Sequence, residues 1–241
     1  MKVLVIIPAY NEEKSIVHVV QKLKETCPDF DYIVIDDCST DGTLQILKHK
    51  KMNYVSLPIN LGIGGGVQLG YQYAYEKGYD IAVQMDGDGQ HDPRYLNDLI
   101  VPIINGETDM SIGSRFIIKE GFQTSLMRRF GITILRYTIQ LFAQVKITDA
   151  TSGFRACTKE LIYFFAGDYA QDYPEPEAIV AATLNGFSIA EVPVEMIERI
   201  EGVSSINWLN SIYYMIKVNL SIVLRRLTYK HSQKSKDKKR R

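Results

Sequence analysis

Val83-Gln84-Met85-Asp86-Gly87-Asp88-Gly89-Gln90-His91-Asp92-Pro93 is an apolar run that ends on two carboxylates at i and i+2, then on glycines and a proline. A buried strand that delivers Asp86 and Asp88 into a loop at its carboxyl end is the arrangement in which open α/β sheets bind ligands. Asp86, Asp88 and the Gln90 amide are hard oxygen donors. They suit Mg²⁺ or Mn²⁺ shared between protein and a diphosphate. On its own the pattern is also that of a polar turn after a strand. An EF-hand is excluded, because its sixth and twelfth positions require glycine and glutamate and hold His91 and Asn97.

The neighbouring segments extend this strand into a sheet. Residues 3–7 and Tyr32-Ile33-Val34-Ile35 are apolar, β-branched runs of the kind buried on both faces of a parallel sheet. Between them Asn11 is read as an N-cap, with Glu12 and Glu13 in a first turn and Ile16, Val19, Val20 and Leu23 on the apolar face of a helix to about Thr26. Strand, helix and strand form a βαβ unit. A second helix is expected to about Lys50, a short strand over 53–57, a helix after Asn60-Leu61-Gly62-Ile63-Gly64-Gly65-Gly66, a strand over 79–85, a helix over 93–104 and a strand at 110–115. The glycine run lacks G-K-[ST], and G-x-G-x-x-G breaks at Val67 or Leu69, so it reads as a close-packed helix start. Further on, 124–145 is an apolar helical segment studded with Arg128, Arg129 and Arg136. Asp149 to Arg155 is a polar turn, Asp172 to Glu177 an acidic entry to a helix, and Ile189 to Val194 a strand.

The 241 residues carry no net charge, yet 225–241 hold nine of the 28 Lys and Arg residues and one Asp, so the tail is +8 and the remainder −8. Three cysteines without C-x-x-C spacing support neither a disulfide framework nor a zinc site. The opening residues reach Pro8 too soon for a signal peptide, so a reducing cytosol is expected. The segment from about 206 to 228 is amphipathic, with Leu209, Ile212, Ile216, Leu220, Val223 and Leu227 on one face and Asn207, Asn210, Tyr214, Lys217, Ser221 and Arg225 on another. Lys217 near its centre costs about 2.5–3.5 kcal/mol for insertion across a bilayer. An interfacial helix held by nine basic residues, each worth about 1 kcal/mol at an anionic leaflet, costs less. A helix packed on another protein is the competing reading, and nucleic acid is not the expected partner.

These residues together resemble the family 2 glycosyltransferases of GT-A fold, most closely the polyprenyl- and dolichyl-phosphate hexosyltransferases. The resemblance rests on Val5 to Glu12, Ile35 to Thr43, Asn60-Leu61-Gly62, Asp86 to Gln90, Gly113-Ser114-Arg115, Ser152 to Arg155, and Glu191 to Val194 followed by Arg199 and Gly202, seven motifs in order over residues 3 to about 205. It implies a mostly parallel Rossmann-like sheet flanked by helices over 1–205, an amphipathic juxtamembrane helix over 206–229 and a disordered basic tail over 230–241. Pro8, Tyr10, Glu12, Ile35 and Asp37 would hold the nucleotide of a diphosphate-sugar donor, with Asp86 and Gly87. Asp86, Asp88 and Gln90 would hold the metal, while Arg115 and Arg199 would bind donor and acceptor phosphates. The implied acceptor is polyprenyl phosphate at the inner face of the cell membrane, for cell-envelope glycans, beside a small integral membrane protein. Cys38 departs from the family's usual glycine, and Ser205 from a basic residue common in the dolichyl-phosphate enzymes.

Chemistry alone leaves the acceptor open. A lipid phosphate is already anionic and needs positioning by Arg115, Arg128 or Arg129. A sugar hydroxyl needs a carboxylate base, for which Asp172, Glu175 and Glu177 are available. A silent sugar-nucleotide-binding subunit of a membrane complex is the reading from outside enzymology.

Overall fold

A computed structural model describes residues 1–118, 126–197 and 215–229, and for 126–130 the backbone alone. In chain order the elements are β1 (Val3–Ala9), α1 (Ile16–Thr26), β2 (Asp31–Asp36), α2 (Thr43–His49), β3 (Tyr54–Ser56), α3 (Gly62–Glu76) and β4 (Ile81–Gln84). After a 3₁₀ turn at Pro93–Tyr95 come α4 (Leu96–Ile104), β5 (Met110–Ser114), α5 (Leu126–Ala143), β6 (Arg155–Thr158), α6 (Lys159–Gly167), α7 (Pro174–Leu184) and β7 (Ile189–Pro193). A last helix, α8, spans 215–229.

The strands form one seven-stranded sheet in the order β3-β2-β1-β4-β6-β5-β7. All neighbours are parallel except β6, which runs antiparallel to both β4 and β5. The expected mixed α/β architecture is what forms. Alternation along each strand fills two apolar layers. Leu4, Ile6, Ile33, Ile35 and Ala82 face a core shared with α3 and α5 to α8. Val5, Ile7, Tyr32, Val34 and Val83 face the layer of α1, α2 and α4. Burial on both faces explains why β1, β2 and β4 are apolar apart from Asp31 and Asp36 at the ends of β2 and Gln84 at the end of β4.

Several local expectations are corrected. Asn11 is not an N-cap: it sits at φ 60°, and α1 begins only at Ile16 after a turn, with Ser15 in the cap position. Glu13 serves the neighbouring loop instead, its carboxylate accepting from the Gly42 N–H at 2.7 Å. The strand β6 and the helix α6 have no counterpart in the sequence reading, which ends its polar turn at Arg155. The glycine run is close-packed as expected. A Cβ on Gly64 would stand 2.2 Å from the Ala170 carbonyl, and one on Gly70 2.2 Å from Ile6 Cγ2.

Candidate active site

The carboxyl ends of β1, β2 and β4 meet the start of α3 around a cleft of about 340 Å³. β4 brings Asp86, Gly87 and Asp88 to its rim, β1 contributes Pro8, Tyr10 and Glu12, and β2 contributes Asp37. Seven residues named from the sequence therefore converge. Ile35 does not line the cleft. It is fully buried one layer below, where its Cγ2 would lie 3.8 Å from a Cβ on Gly66, a residue that does line it. Asn60, Gly62 and Ile63 complete the far wall. A larger cavity of about 510 Å³ lies between the C-terminal half of α3 and α6. It has none of the strand-end carboxylates, so the chemistry belongs to the smaller one.

Each wall is fixed by backbone capture. Asp37, nearly buried, accepts from the Leu61 N–H at 2.7 Å, and its carbonyl accepts from the Asn60 side-chain amide at 3.0 Å. That pair sets the entry to α3. Gly87 lies against the Pro8 carbonyl, 3.1 Å from where a Cβ would stand, so the β1 and β4 loops touch through a residue with no side chain. Asp88 is 8% exposed and its Oδ1 accepts from the Gln90 N–H at 3.0 Å. Gly89 adopts φ 81° in the same loop, a conformation in which glycine carries no steric penalty.

Asp86 is held differently. The Gln84 side-chain amide donates to its Oδ1 at 3.3 Å, while Gln84 Oε1 accepts from the Tyr169 hydroxyl at 3.4 Å. Burial pushes the Tyr169 phenol well up, so it stays protonated and donates. A Cβ on Gly153 would stand 3.1 Å from both Asp86 oxygens, so only glycine leaves that carboxylate its space. Beneath them Arg155 is fully buried, donating to the Glu175 and Ser152 carbonyls at 3.1 and 2.5 Å.

Among the described residues no group of three or more His, Cys, Asp or Glu side chains forms a metal site. Two carboxylates at the mouth of a cleft nevertheless fit a hard cation that takes most of its ligands from water and substrate phosphate, the habit of Mg²⁺.

Arg115, at the exit of β5, is 8% exposed and gripped by Asp149. Arg199 lies outside the described residues, and of Arg128 and Arg129 only the backbone, in α5, is described. The alternative bases lie elsewhere. Asp172 pairs with Lys217 at 3.3 Å, Glu177 is 3.9 Å from Arg225, the Glu175 carbonyl caps Arg155, and none of the three lines the cleft. The sequence reading passed over Gln84, His91, Gly153 and Tyr169, which surround Asp86. Gln84 carried a signal, being a polar residue inside an apolar strand.

With this geometry in view, the decisive comparison is a match of residues 4–165 to the family model described as glycosyl transferase family 2. The chain belongs to glycosyl transferase family 2. It is 34% identical over 215 residues to a UDP-N-acetylglucosamine–dolichyl-phosphate N-acetylglucosaminyltransferase of Methanococcus voltae, covering 81% of this chain and 85% of that one. It is 31% identical over 227 residues to a polyprenol monophosphomannose synthase of Mycolicibacterium smegmatis, covering 90% and 85%. Among solved structures, glucosyl-3-phosphoglycerate synthase of Mycobacterium tuberculosis, in complex with Mn²⁺, UDP and glucosyl-3-phosphoglycerate, superposes with a TM-score of 0.68 at 21% identity over 93% of this chain and 79% of that one. That likeness establishes the GT-A fold. As a family 2 member the protein is a glycosyltransferase.

Proposed function

We propose that this glycosyltransferase moves a hexose from a nucleotide diphosphate-sugar to polyprenyl phosphate, with inversion, at the inner face of the cell membrane. The observation that carries the reading is the convergence of Asp86 and Asp88 with Pro8, Tyr10, Glu12 and Asp37 on one cleft. Nucleotide and diphosphate would lie along it, held by the residues just named and by Arg199. A divalent ion bound there would supply electrophilic stabilisation for a departing diphosphate. Asp86, Asp88 and Gln90 are the residues that would hold it.

A phosphate acceptor is supported over a hydroxyl by the position of Asp172, Glu175 and Glu177 outside the cleft. It is supported too by the relatives, whose names specify dolichyl-phosphate and polyprenol chemistry. Phosphate needs no base, only cations that orient it, for which Arg115, Arg128 and Arg129 remain the choices.

Two helices support membrane attachment. Among the described residues no helix is long and apolar enough to cross a membrane. On α8, Val218 and Ile222 are buried in the core, while Ile216, Leu220, Leu224 and Leu227 are all more than half exposed. On α5, Tyr137 and Leu141 are exposed in the same way. The two helices touch where the Thr138 hydroxyl donates to Asn219 Oδ1. Apolar rows of this kind followed by a basic tail fit an anionic interface.

The test is transfer in detergent from UDP-glucose, UDP-N-acetylglucosamine and GDP-mannose to undecaprenyl phosphate with Mn²⁺. A donor-dependent glycolipid is the expected product. Activity only on a lipid-linked saccharide would move the acceptor to a hydroxyl, and nucleotide binding without turnover would mark a silent subunit.

A further inference from the structure

The sequence reading names His91 only to exclude an EF-hand, yet its place in the fold gives it a role. It is 6% exposed, and its ring stacks on Phe154 with centroids 4.8 Å apart and planes at 14°. Its Nδ1 accepts from the Asp86 backbone N–H at 3.0 Å. A nitrogen that accepts carries no proton, so the proton of the neutral ring is on Nε2. That atom lies 3.7 Å from Asp86 Oδ2, an electrostatic contact longer than a hydrogen bond. Asp86 therefore has Gln84 at Oδ1 and His91 at Oδ2, with the Gly153 backbone closing the third side.

The same residue joins two loops. His91 forms an isolated antiparallel bridge with Met196, and the Ile197 N–H donates to the Gln90 carbonyl at 3.0 Å. Residues 196–197 immediately precede the segment that carries Arg199. The turn that bears Asp86, Asp88 and Gln90 and the chain leading to Arg199 are thus paired through His91.

We propose that His91 is a positioning residue for the donor site. It fixes the direction of the Asp86 carboxylate toward a cation and carries the metal turn and the 196–197 segment as one unit. The inference rests on the metal-assisted reading given above. Partners that orient a ligating carboxylate are typically worth about 10–100-fold in metal affinity.

The full-length protein is titrated with Mn²⁺ in the presence of UDP and, separately, GDP, with nucleotide binding followed by calorimetry and the thermal midpoint read in parallel. His91→Phe keeps a ring against Phe154 and removes both nitrogens. It is expected to raise the Mn²⁺ concentration needed for half-maximal binding by about tenfold or more. Transfer should recover at saturating Mn²⁺, so the change appears in the metal dependence rather than in the limiting kcat. His91→Asn keeps an acceptor for the Asp86 N–H and is expected to fall between. A purely structural role would lower the thermal midpoint and leave the Mn²⁺ dependence of the folded protein unchanged, which overturns the proposal. If His91→Phe does not fold, His91→Asn decides, and wild-type Mn²⁺ dependence in that variant overturns it. Absence of Mn²⁺-dependent nucleotide binding in the wild type would sink the metal-assisted reading together with this one. Equal binding by wild type and variants would sink this one alone.

Discussion

Arg115 holds Asp149 with two nitrogens, Nε to Oδ2 at 2.7 Å and Nη2 to Oδ1 at 2.8 Å, in a site where the carboxylate is fully buried. Thr151 accepts from the same Nη2 at 2.9 Å, and Glu191 accepts from the Asp149 N–H at 2.7 Å. The β5 exit, the polar turn and β7 are tied together by this group. Asp149→Ala strands a guanidinium with almost no access to water, at a cost of about 3–5 kcal/mol. The thermal midpoint is expected to fall by roughly 10 °C for a chain of this size. Arg115→Lys keeps the charge but loses the two-pronged fit and should cost less. If Arg115 also orients the acceptor, that variant raises the KM for polyprenyl phosphate while leaving the KM for the donor unchanged.

Asp88→Ala tests the metal turn. The carboxylate sits on a loop at a strand end, where its Oδ1 accepts from the Gln90 N–H, and losing that bond should cost about 1 kcal/mol. On the metal-assisted reading proposed above, the lost stabilisation of the departing diphosphate is worth several kcal/mol, and kcat is expected to fall roughly a thousandfold. A fully active, metal-independent variant would return Asp86-Gly87-Asp88 to a polar turn.

Legibility followed burial and length. β1, β2 and β4 lie inside a sheet covered on both faces, so each writes an apolar run whose polar residues stand only at its ends. β6 is four residues, Arg155-Ala156-Cys157-Thr158, too short to show a period and flanked by polar side chains. Its antiparallel insertion beside β4 is a tertiary choice that no local pattern announces. Asp86 and Asp88 were readable because carboxylates and glycines there interrupt an apolar run, while Pro8, Tyr10, Glu12 and Asp37 came from the family resemblance. Gly153 and Tyr169 were not readable, because they reach Asp86 from distant parts of the chain, whereas Gln84 showed itself as a polar residue in an apolar strand. The amphipathic pattern of α8 was visible, but the burial of Val218 and Ile222 depends on α5 and α7 being where they are.

Cys38 occupies φ 59°, the left-handed region in which a Cβ costs about 1–2 kcal/mol. Glycine, usual in the family at this position, removes that penalty and adds some unfolded-state freedom. Cys38→Gly is therefore expected to stabilise the protein by about 0.5–1 kcal/mol, read from denaturant midpoints. The Cys38 thiol donates to the Pro58 carbonyl at 3.7 Å, but S–H is a weak donor and offsets only part of this.

Asp92 gives stability a pH dependence. Burial pushes its pKa up, but bonds from Arg94 and Lys22 outweigh this and the net shift is downward from 3.8. The carboxylate also caps the 3₁₀ turn, accepting from the Arg94 N–H at 3.1 Å. A folded pKa below the unfolded one stabilises above about pH 3.8 and is lost as pH falls through the lowered folded value. Asp92→Asn keeps the cap but loses the charge that Lys22 and Arg94 pair with, and should be less stable than wild type by about 1 kcal/mol at pH 7. The gap should narrow below pH 4, as thermal melts across pH 2.5–7 would record.

Membrane attachment is best tested without truncation, because α8 contributes Val218 and Ile222 to the core and its removal would open it. Arg225 also reaches Asp168 at 2.6 Å, and Lys217 reaches Asp172, so the polar side of the helix is committed to the fold. The exposed row, Ile216, Leu220, Leu224 and Leu227, is left for another phase. Each large side chain buried there is worth about 1.5–3 kcal/mol relative to water. Substituting all four by serine should abolish flotation with anionic vesicles while leaving the melting temperature nearly unchanged. Wild-type flotation should weaken only in part at high salt, since screening acts on the basic tail and not on apolar burial. Complete release by salt would make the tail sufficient alone, and equal flotation of the serine variant would remove the helix from the interface.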